Sequence, residues 1–169
     1  MQTRKPLKIL QASAGSGKTF SLAAHYLTLL FSGENKYREI LAVTFTNKAT
    51  AEMKERILEV LKALTIPDQN PGNHYSEAEL QKAAKFKRDY RPIILGNLPY
   101  LNADLLQQKA DKIYRQILHD YSRFSVNTID GFVQKVIRSF SYELGLDAGY
   151  RLEMNINKVK NDLADKLNK

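Results

Sequence analysis

The sequence contains no cysteine, and this absence removes several classes of chemistry at once. Disulfide bonds, zinc–thiolate sites and thiol nucleophiles are all excluded. A chain without cysteine suits a reducing compartment, and we expect a cytoplasmic protein. The histidines His25, His74 and His119 are scattered, and none has a second histidine or a carboxylate at a spacing typical of metal ligands. We therefore expect neither a metal cluster nor a catalytic histidine.

Long apolar runs are also missing. Residues 1–8 are basic and only a short mixed strand follows them, so we expect neither a signal peptide nor a membrane span. Internal repeats, low-complexity tracts and long runs of like charge are not found either. With 169 residues the chain is long enough for one domain with a substantial core. Its formal net charge of +8 favours polyanionic partners, although charge alone reports mainly solubility and non-specific attraction.

The stretch 7–31 organises the chain, because an apolar run, L-K-I-L-Q, leads into A-S-A-G-S-G-K-T and then into a helix. Gly15 and Gly17 allow backbone N–H groups to approach phosphate oxygens, which a side chain would obstruct. Lys18 can place an ammonium against the β and γ phosphates, and the Thr19 hydroxyl can ligate Mg²⁺ at the positive end of the helix. An ordinary Gly/Ser turn would have no use for this Lys-Thr pair.

The pattern is typical of a phosphate-binding loop in which Ala12 holds the place of the usual first glycine. We expect Lys18 and Thr19 to take part in catalysis. The full set of expected nucleotide-binding residues is Ala12, Ser13, Ala14, Gly15, Ser16, Gly17, Lys18, Thr19 and Phe20.

Two more strands are predicted after the first helix, whose apolar face is Leu22, Ala23, Tyr26, Leu27 and Leu30. Turn residues at 32–35 lead to a β-branched strand over 39–45. A strand, a helix and a second strand at this spacing indicate a parallel sheet. Thr46-Asn47 is predicted to cap a helix that runs to about position 64. A third strand is predicted over 124–127, and an apolar helix follows it and ends at Gly145.

Residues 65–122 are expected to form a mostly helical insertion between the strands. A loop is predicted over 65–75 and a charged helix from about 76 to 90, which Arg91-Pro92 is expected to break. An amphipathic helix is predicted from Asp104 onward. Residues 155–169 indicate a short polar helix whose thin apolar stripe needs a partner surface. The predicted fold class is α/β.

Polar and aromatic residues stand at the carboxyl ends of the second and third strands. The junction 44–48 (T-F-T-N-K) lies at the edge where open α/β sheets bind ligands. Its hydroxyls, its amide and a helix N-terminus can hold a nucleic-acid phosphate, while Phe45 can offer a face to a base. An equally good interpretation places Phe45 in the core and makes Thr46 a helix cap. Thr128 mirrors Thr44, so two strand ends present hydroxyls on one edge.

Three motifs in order make the chain resemble the opening of a UvrD/RecB-type superfamily 1 DNA helicase. They are A-S-A-G-S-G-K-T-F, V-T-F-T-N-K-A-T-A-E-M-K-E-R-I and F-S-V-N-T-I-D-G-F, which match the family's Walker A motif, motif Ia and motif Ib. The long spacer before the third motif and the A-S-A-G form of the loop are similar to the RecB/AddA branch of helicase–nucleases. The resemblance therefore implies an ATP-dependent DNA helicase of recombination or repair, with exonuclease activity in the parent protein.

The resemblance also implies a fold, cofactors and a DNA-binding track. The fold would be an incomplete RecA-like P-loop NTPase sheet with a mostly helical insertion, and the cofactors would be ATP and Mg²⁺, with Thr19 as a Mg²⁺ ligand. The expected DNA-binding residues are Thr44, Phe45, Thr46, Asn47, Lys48, Thr128, Asp130 and Phe132.

The same resemblance sets expected partners and boundaries. The partners would be single-stranded and duplex DNA, the remaining helicase domains of the same chain and a second helicase–nuclease subunit, with no membrane. Residues 1–169 would be the N-terminal part of motor domain 1A. Its segments would be 1–64 (Walker A motif and motif Ia), 65–122 (the insertion), 123–145 (motif Ib strand and helix) and 146–169 (the start of a helical subdomain).

Three departures from the family pattern restrict this analogy. Asp130 stands where the family commonly has histidine, and a carboxylate repels phosphate. No adenine-reading glutamine motif fits before Leu7, and Gln11 is not an obvious substitute. No apolar strand ends in Asp-Glu, so the Walker B pair is missing, as is the arginine-bearing motif of the second motor domain. We therefore expect an N-terminal part of a longer motor that binds ATP without turnover on its own.

Two other functions are compatible with individual motifs. The first is a complete small P-loop phosphotransferase with Asp130 as its catalytic carboxylate, but the clustered lid arginines that it requires are not evident. The second is a non-catalytic DNA-binding module whose loop holds a backbone phosphate, and competition between ATP and an oligonucleotide would identify it.

Overall fold

The computed structural model describes residues 17–69, 71, 75–141, 143, 145 and 156–167. The chain divides into two compact units, Met1–Thr128 and Ile129–Lys169. The strand expected at 7–11 lies outside the described residues. None of the helices in the described part combines the length and the apolarity that a membrane crossing requires.

A two-stranded parallel sheet lies in the first unit. Strand β1 is Ala42–Thr44 and strand β2 is Val126–Thr128. They pair in a register that sets Thr44 beside Thr128. Ala42 is buried beneath the helices of the unit. The predicted parallel arrangement is therefore confirmed for these two strands, and the described part of the first unit combines this small sheet with four helices.

Helix α1, Lys18–Phe31, supplies one side of the core. It ends at Phe31, where the Ser32 hydroxyl donates to the Leu29 carbonyl over 2.7 Å and the Ser32 N–H donates to the same oxygen. Leu22, which the periodicity places on the packed face, is exposed instead. The buried residues of α1 are Ala23, Ala24, Tyr26, Leu27, Leu30 and Phe31.

A 3₁₀ turn, Lys36–Arg38, leads from α1 to the sheet. The N–H groups of Glu39 and Ile40 donate back to the Lys36 carbonyl over 2.9 and 3.1 Å. These bonds continue the turn through the first two residues of the predicted strand 39–45. Strand β1 therefore begins only at Ala42.

Helix α2, Asn47–Thr65, lies at the centre of the first unit and contacts α1, both strands and two further helices, α3 (Glu77–Asn97) and α4 (Ala103–His119). The prediction of a helix from 46–47 to about 64 is confirmed. Its buried side chains recur at helical spacing and are Met53, Ile57, Val60, Leu61, Ala63 and Leu64.

Side-chain caps define where α2, α3 and α4 begin. The hydroxyl of Thr46 accepts the Ala49 N–H at the start of α2. Ser76 and Glu79 form a capping box at the start of α3, in which each side chain accepts the other residue's backbone N–H. Asn102 accepts the Leu105 N–H over 2.8 Å at the start of α4. Each cap satisfies an N–H group that the helix itself leaves without a partner.

Helix α3 does not end where the sequence predicts. Arg91-Pro92 is not a break, because Pro92 lies inside the helix on its exposed side. Proline in a helix interior removes a hydrogen bond and costs about 3 kcal/mol. Ile94 and Leu98 beyond it are buried, and a fully buried aliphatic side chain contributes about 1.5–3 kcal/mol. Burial on the far side of the proline therefore offsets the cost of continuing the helix.

An ion cluster joins the end of α2 to α3. The Lys87 ammonium, on a residue only 9% exposed, donates to the Ile66 carbonyl and, over 2.9 Å, to Asp68. The Arg91 guanidinium donates two bonds to the same carboxylate, at 2.7 and 2.9 Å. These bonds, first from Arg91 and then from Lys87, hold the pKa of Asp68 well below its usual range.

Helix α4 closes the core from the far side of α2. Its buried residues are Leu106, Ala110, Ile113 and Ile117. The predicted amphipathic helix from Asp104 is therefore confirmed, with its first residue at Ala103. A 3₁₀ turn, Tyr121–Arg123, then leads to β2, and the ring of Phe124 packs against Tyr26 at a centroid distance of 6.0 Å.

The second unit contains helix α5, Ile129–Ser139, and helix α6, Ile156–Leu167. The prediction that the first of these helices continues to Gly145 is wrong, because α5 ends at Ser139. The Phe140 N–H reaches the carbonyls of both Val136 and Ile137, which tightens the last turn. Phe140, directly after α5, is exposed, and both helices leave further apolar side chains exposed, namely Ile129, Val133, Val136, Val159, Leu163 and Leu167.

Candidate functional site

The start of α1 is an exposed helix N-terminus preceded by a left-handed residue. Gly17 has φ 77° and ψ 20°, a conformation that residues with a Cβ rarely adopt. No described atom beyond its chain neighbours lies within 4 Å of a Cβ built there, so the need for glycine is conformational rather than steric. Among the described residues no side chain caps this helix. In the described part of the chain, the first N–H groups of this helix thus have no side-chain partner and are suited to an anion.

Lys18 and Thr19 are the first two residues of α1, and both are exposed. The first turn carries no acidic side chain that would neutralise the ammonium or the helix dipole. The described part of the loop is thus chemically suited to bind a phosphate. The remaining expected nucleotide contacts lie outside the described residues and are Ala12, Ser13, Ala14, Gly15 and Ser16.

Aromatic packing anchors the start of α1 to α3. The half-buried Phe20 ring lies 4.8 Å from the Tyr90 ring, centroid to centroid. Burial raises the pKa of the Tyr90 hydroxyl, which keeps it neutral. Phe20, expected among the nucleotide-binding residues, thus directs its side chain to the protein interior, and its backbone N–H is the group suited to an anion.

A small cleft opens beside the first two turns of α1. Its volume is about 200 Å³, and its lining includes Ser21, His25, Ile93 and Asn97. Pockets that enclose a whole small ligand usually measure about 300–1,000 Å³. This cleft is therefore too small to enclose a complete nucleotide by itself.

The carboxyl ends of β1 and β2 bring two threonines together. Thr44 and Thr128 are register partners in the parallel pair, and each is the last residue of its strand. The prediction that two strand ends present hydroxyl-bearing residues on one edge is confirmed. This edge is the one where open α/β sheets bind ligands.

Hydroxyl groups inside the junction between β1 and α2 form a closed triangle. The Thr44 and Thr50 hydroxyl oxygens lie 2.6 Å apart, and each also lies 3.1 Å from the Thr46 carbonyl oxygen. One hydroxyl donates to the other, which in turn donates to the carbonyl. Both hydroxyl protons are therefore used inside the junction in either direction of donation. Thr44 consequently has no proton left for a phosphate and serves to shape the turn.

Phe45 lies at the tip of this junction and is 87% exposed. The interpretation that places Phe45 in the core is therefore wrong. The interpretation of Thr46 as a helix cap is correct, because its hydroxyl accepts the Ala49 N–H over 3.1 Å. Thr46 keeps its own hydroxyl proton for another acceptor.

Asn47 and Lys48 occupy the exposed first turn of α2. The Lys48 ammonium lies 4.0 Å from the Glu52 carboxylate, and both side chains are largely in water. An exposed pair at this distance contributes little stability, so it leaves the ammonium available to another anion. The junction thus offers an aromatic face, an amide and a cation side by side.

Asp130 and Phe132 belong to α5 in the second unit. Asp130 is exposed in the first turn of α5, where its carboxylate interacts favourably with the helix dipole. Phe132 is half-buried. Neither residue is buried in a catalytic cleft of its own unit. Within the described residues, no group of three or more histidine, cysteine or acidic side chains is arranged to hold a metal.

Sequence reasoning missed Thr50 as part of this site. Its hydroxyl reaches back across the junction to a residue six positions earlier. The periodicity of α2 marks Thr50 only as a polar residue that precedes the first buried residue, Met53. The repeated threonines at 44, 46 and 50 were the available signal, but their distances depend on the turn geometry.

Comparison with known proteins identifies the family. A family model described as the UvrD/REP helicase N-terminal domain matches residues 2–168. The RecBCD enzyme subunit RecB of Haemophilus influenzae is 30% identical over 156 residues, which are 83% of this chain and 11% of that protein. An ATP-dependent helicase/nuclease subunit of Clostridium perfringens is 26% identical over 167 residues, 96% of this chain and 10% of that protein.

A shorter alignment is more similar still. An ATP-dependent helicase/nuclease subunit of a Thermoanaerobacter species is 45% identical over 71 residues, which are 41% of this chain and 6% of that protein. The chain spans about a tenth of the length of these curated relatives. No solved structure matches it significantly. Because the family model covers almost every residue, the chain belongs to the UvrD/REP helicase N-terminal domain family.

Proposed function

We propose that this chain is the ATP-binding and single-stranded-DNA-contacting N-terminal portion of an ATP-dependent DNA helicase. Family membership supports the helicase class. Relatives named as RecB and as ATP-dependent helicase/nuclease subunits support the helicase–nuclease branch, and with it a parent enzyme of DNA recombination or repair.

Residues 12–20 would hold ATP. The left-handed Gly17, the uncapped start of α1 among the described residues and the adjacent ammonium of Lys18 form an environment that favours phosphate. The exposed Thr19 hydroxyl is suited to ligate Mg²⁺ beside it. Bound ATP would supply the phosphoanhydride bond whose hydrolysis drives a helicase. Lys18 would neutralise the phosphate charge, and the backbone N–H groups would orient it.

The observation that carries the DNA-binding part of the proposal is the exposure of Phe45 at the ligand edge of the sheet. A base that stacks on such a ring gains about 1–3 kcal/mol, whatever its identity. The Thr46 hydroxyl, the Asn47 amide and the Lys48 ammonium belong to the residues that directly follow Phe45 at the start of α2, and each can donate to a phosphate. The phosphotransferase alternative gives this aromatic side chain no role.

The remainder of the proposed track is Thr128, Asp130 and Phe132. Thr128 shares the sheet edge with Thr44. Asp130 and Phe132 follow on α5, and the Asp130 carboxylate would disfavour a phosphate close to it. We therefore assign stacking in this segment to Phe132 and no phosphate contact to Asp130.

The proposal extends to the larger architecture. It includes a RecA-like P-loop NTPase sheet, the segments 1–64, 65–122, 123–145 and 146–169 of motor domain 1A, and a cytoplasmic location. The proposed partners are single-stranded and duplex DNA, the other helicase domains of the same chain and a second helicase–nuclease subunit. The exposed apolar stripes of α5 and α6 agree with further protein contacts.

Calorimetry with Mg²⁺-ATP tests the nucleotide site. Lys18→Ala should weaken binding by about tenfold or more, since a hydrogen bond to a charged group contributes about 1.5–3 kcal/mol. Lys85→Ala is the matched control, because Lys85 is another exposed helical lysine, on α3. Equal affinities of the parent chain and the Lys18 variant would remove the phosphate-loop assignment.

Fluorescence anisotropy with a labelled oligothymidylate tests the DNA site. Binding should be weak and should fall as salt rises. Phe45→Ala should reduce affinity by about five- to 100-fold, while Phe45→Tyr, which keeps the ring, should bind like the parent chain. ATP and oligonucleotide should bind together. Mutual competition would favour the DNA-binding module in which the loop holds a backbone phosphate.

A further inference from the structure

The orientation of Phe45 requires an explanation beyond its own contacts. A side chain that is 87% exposed receives almost no positional help from packing. A stacking platform nevertheless works only if its ring faces the base without an ordering cost at binding. The direction in which the Phe45 side chain leaves the main chain is therefore set by the backbone of the junction.

Two sets of hydrogen bonds fix the backbone on either side of Phe45. On the helix side, Thr46 accepts the Ala49 N–H at its hydroxyl and the Thr50 N–H, over 3.0 Å, at its carbonyl. On the strand side, the Thr44 side chain is tied to the Thr50 hydroxyl at 2.6 Å. Among the described contacts, Thr50 thus bonds to the residue before Phe45 and to the residue after it.

We infer that Thr50 is a positioning residue for single-stranded-DNA binding, whose hydroxyl locks the β1–α2 junction and so fixes the direction in which the Phe45 side chain leaves the main chain to stack on a base. This inference rests on the proposed function. Thr50 itself need not touch DNA, because both hydroxyl protons of the Thr44–Thr50 pair are used inside the junction. Its effect would reach the DNA only through Phe45.

The Thr50 hydroxyl can be removed with little change of shape. Thr50→Val keeps the branched side chain and has a similar helix propensity. Thr50→Ser keeps the hydroxyl and removes only the methyl group. Together the two variants distinguish the effect of the lost hydrogen bond from the effect of changed packing. Thr50→Ala is a second variant without a hydroxyl, and its higher helix propensity makes it the alternative if Thr50→Val is unstable.

The test measures oligothymidylate affinity by fluorescence anisotropy. Each Thr50 variant is made twice, once in the otherwise unchanged chain and once together with Phe45→Ala. Thr50→Val should weaken binding by about three- to tenfold, the equivalent of one hydrogen bond. Thr50→Ser should restore affinity to within about twofold of the parent chain. In the Phe45→Ala background, Thr50→Val should change affinity by less than about twofold, because no ring remains to be positioned.

Urea unfolding and Mg²⁺-ATP affinity serve as controls for a general loss of structure. Equal losses with and without the Phe45 ring, or failure of serine to rescue, would assign Thr50 a merely structural role and overturn the inference. If Phe45→Ala weakens DNA binding but Thr50→Val does not, the inference fails and the proposed function stands. If Phe45→Ala itself has no effect, the proposed DNA site fails, and the inference with it.

Discussion

Asp68→Asn tests how the connection between α2 and α3 is held. The Asp68 side chain is 55% exposed, so its ion pair with Arg91 is screened and contributes about 0.5–1 kcal/mol. The Lys87 side chain is only 10% exposed, and in the variant it loses its charged partner. This loss should lower the free energy of unfolding by about 1–2 kcal/mol. Because asparagine still accepts one bond, we expect a total loss of about 1–3 kcal/mol in the free energy of unfolding.

Urea unfolding followed by circular dichroism measures this loss. Asp111→Asn is the matched control, because Asp111 also accepts two contacts from one arginine, Arg115, at 3.0 and 2.9 Å. That pair lies on the exposed face of α4 without a buried lysine, so the control should lose no more than about 0.5 kcal/mol. The urea dependence of the unfolding free energy should stay the same in both variants.

The pH dependence of the same difference supplies a second readout. The folded-state pKa of Asp68 is depressed, mainly by the Arg91 hydrogen bonds and then by Lys87. Its contribution to stability is therefore present above the unfolded pKa, about 4, and is lost as pH falls further. The difference in unfolding free energy between the parent chain and Asp68→Asn should therefore become smaller below pH about 4. Equal losses for Asp68→Asn and Asp111→Asn at neutral pH would refute the reasoning.

Other features of the molecule make further predictions. Pro92→Ala should raise the free energy of unfolding by about 1–3 kcal/mol, because alanine restores the helical hydrogen bond that proline lacks; no change by urea unfolding would indicate that α3 is broken there. Asn102→Ala should lower the same quantity by about 1 kcal/mol through loss of the α4 cap, and Asn102→Ser should recover most of it. The Ser76 N–H is the main group that lowers the pKa of Glu79 to about 2. Glu79 should therefore stabilise the folded chain above pH about 4.5 and progressively less as pH falls to about 2. Acid titrations of Glu79→Gln should lack this part of the pH dependence of the unfolding free energy. Phosphate release from ATP by these 169 residues should stay at background with or without single-stranded DNA, and steady turnover that Asp130→Asn abolishes would favour the phosphotransferase alternative.

The parts of the fold that could be predicted are those set by local chemistry. Thr46 followed by apolar residues at helical spacing determines the start and length of α2, and the amphipathic pattern after Asn102 determines α4. The parallel pairing followed from strands separated by helices. Each of these rests on residues close together in the sequence or on a general rule of chain topology.

The error at Pro92 arose because tertiary contacts overrode local preference. Pro92 should end a helix, but burial of Ile94 and Leu98 continues it. Such effects depend on which segments meet in space, and a single sequence does not state that.

The candidate site shows the same division. The place of Gly17, Lys18 and Thr19 at the start of α1 could be predicted because the motif is contiguous in the sequence, and their nucleotide-binding role stays a prediction. The two interpretations of Phe45 could not be separated from the sequence, since an aromatic residue after a strand fits a core and a binding edge equally well. The 87% exposure of its side chain excludes the core interpretation, and the binding role stays a proposal.

Under the proposed function, the three threonines of the junction also limit the kind of DNA contact that it can make. The hydroxyl protons of Thr44 and Thr50 are used in hydrogen bonds between these two residues and to the Thr46 carbonyl, so neither hydroxyl can donate to a phosphate. The donors that remain beside Phe45 are the Thr46 hydroxyl, the Asn47 amide and the Lys48 ammonium, and only the last carries charge. Stacking on the ring, which tolerates any base, should therefore supply more of the affinity at this junction than phosphate neutralisation does. Stacking on Phe45 is compatible with the proposed motor, because it tolerates any base.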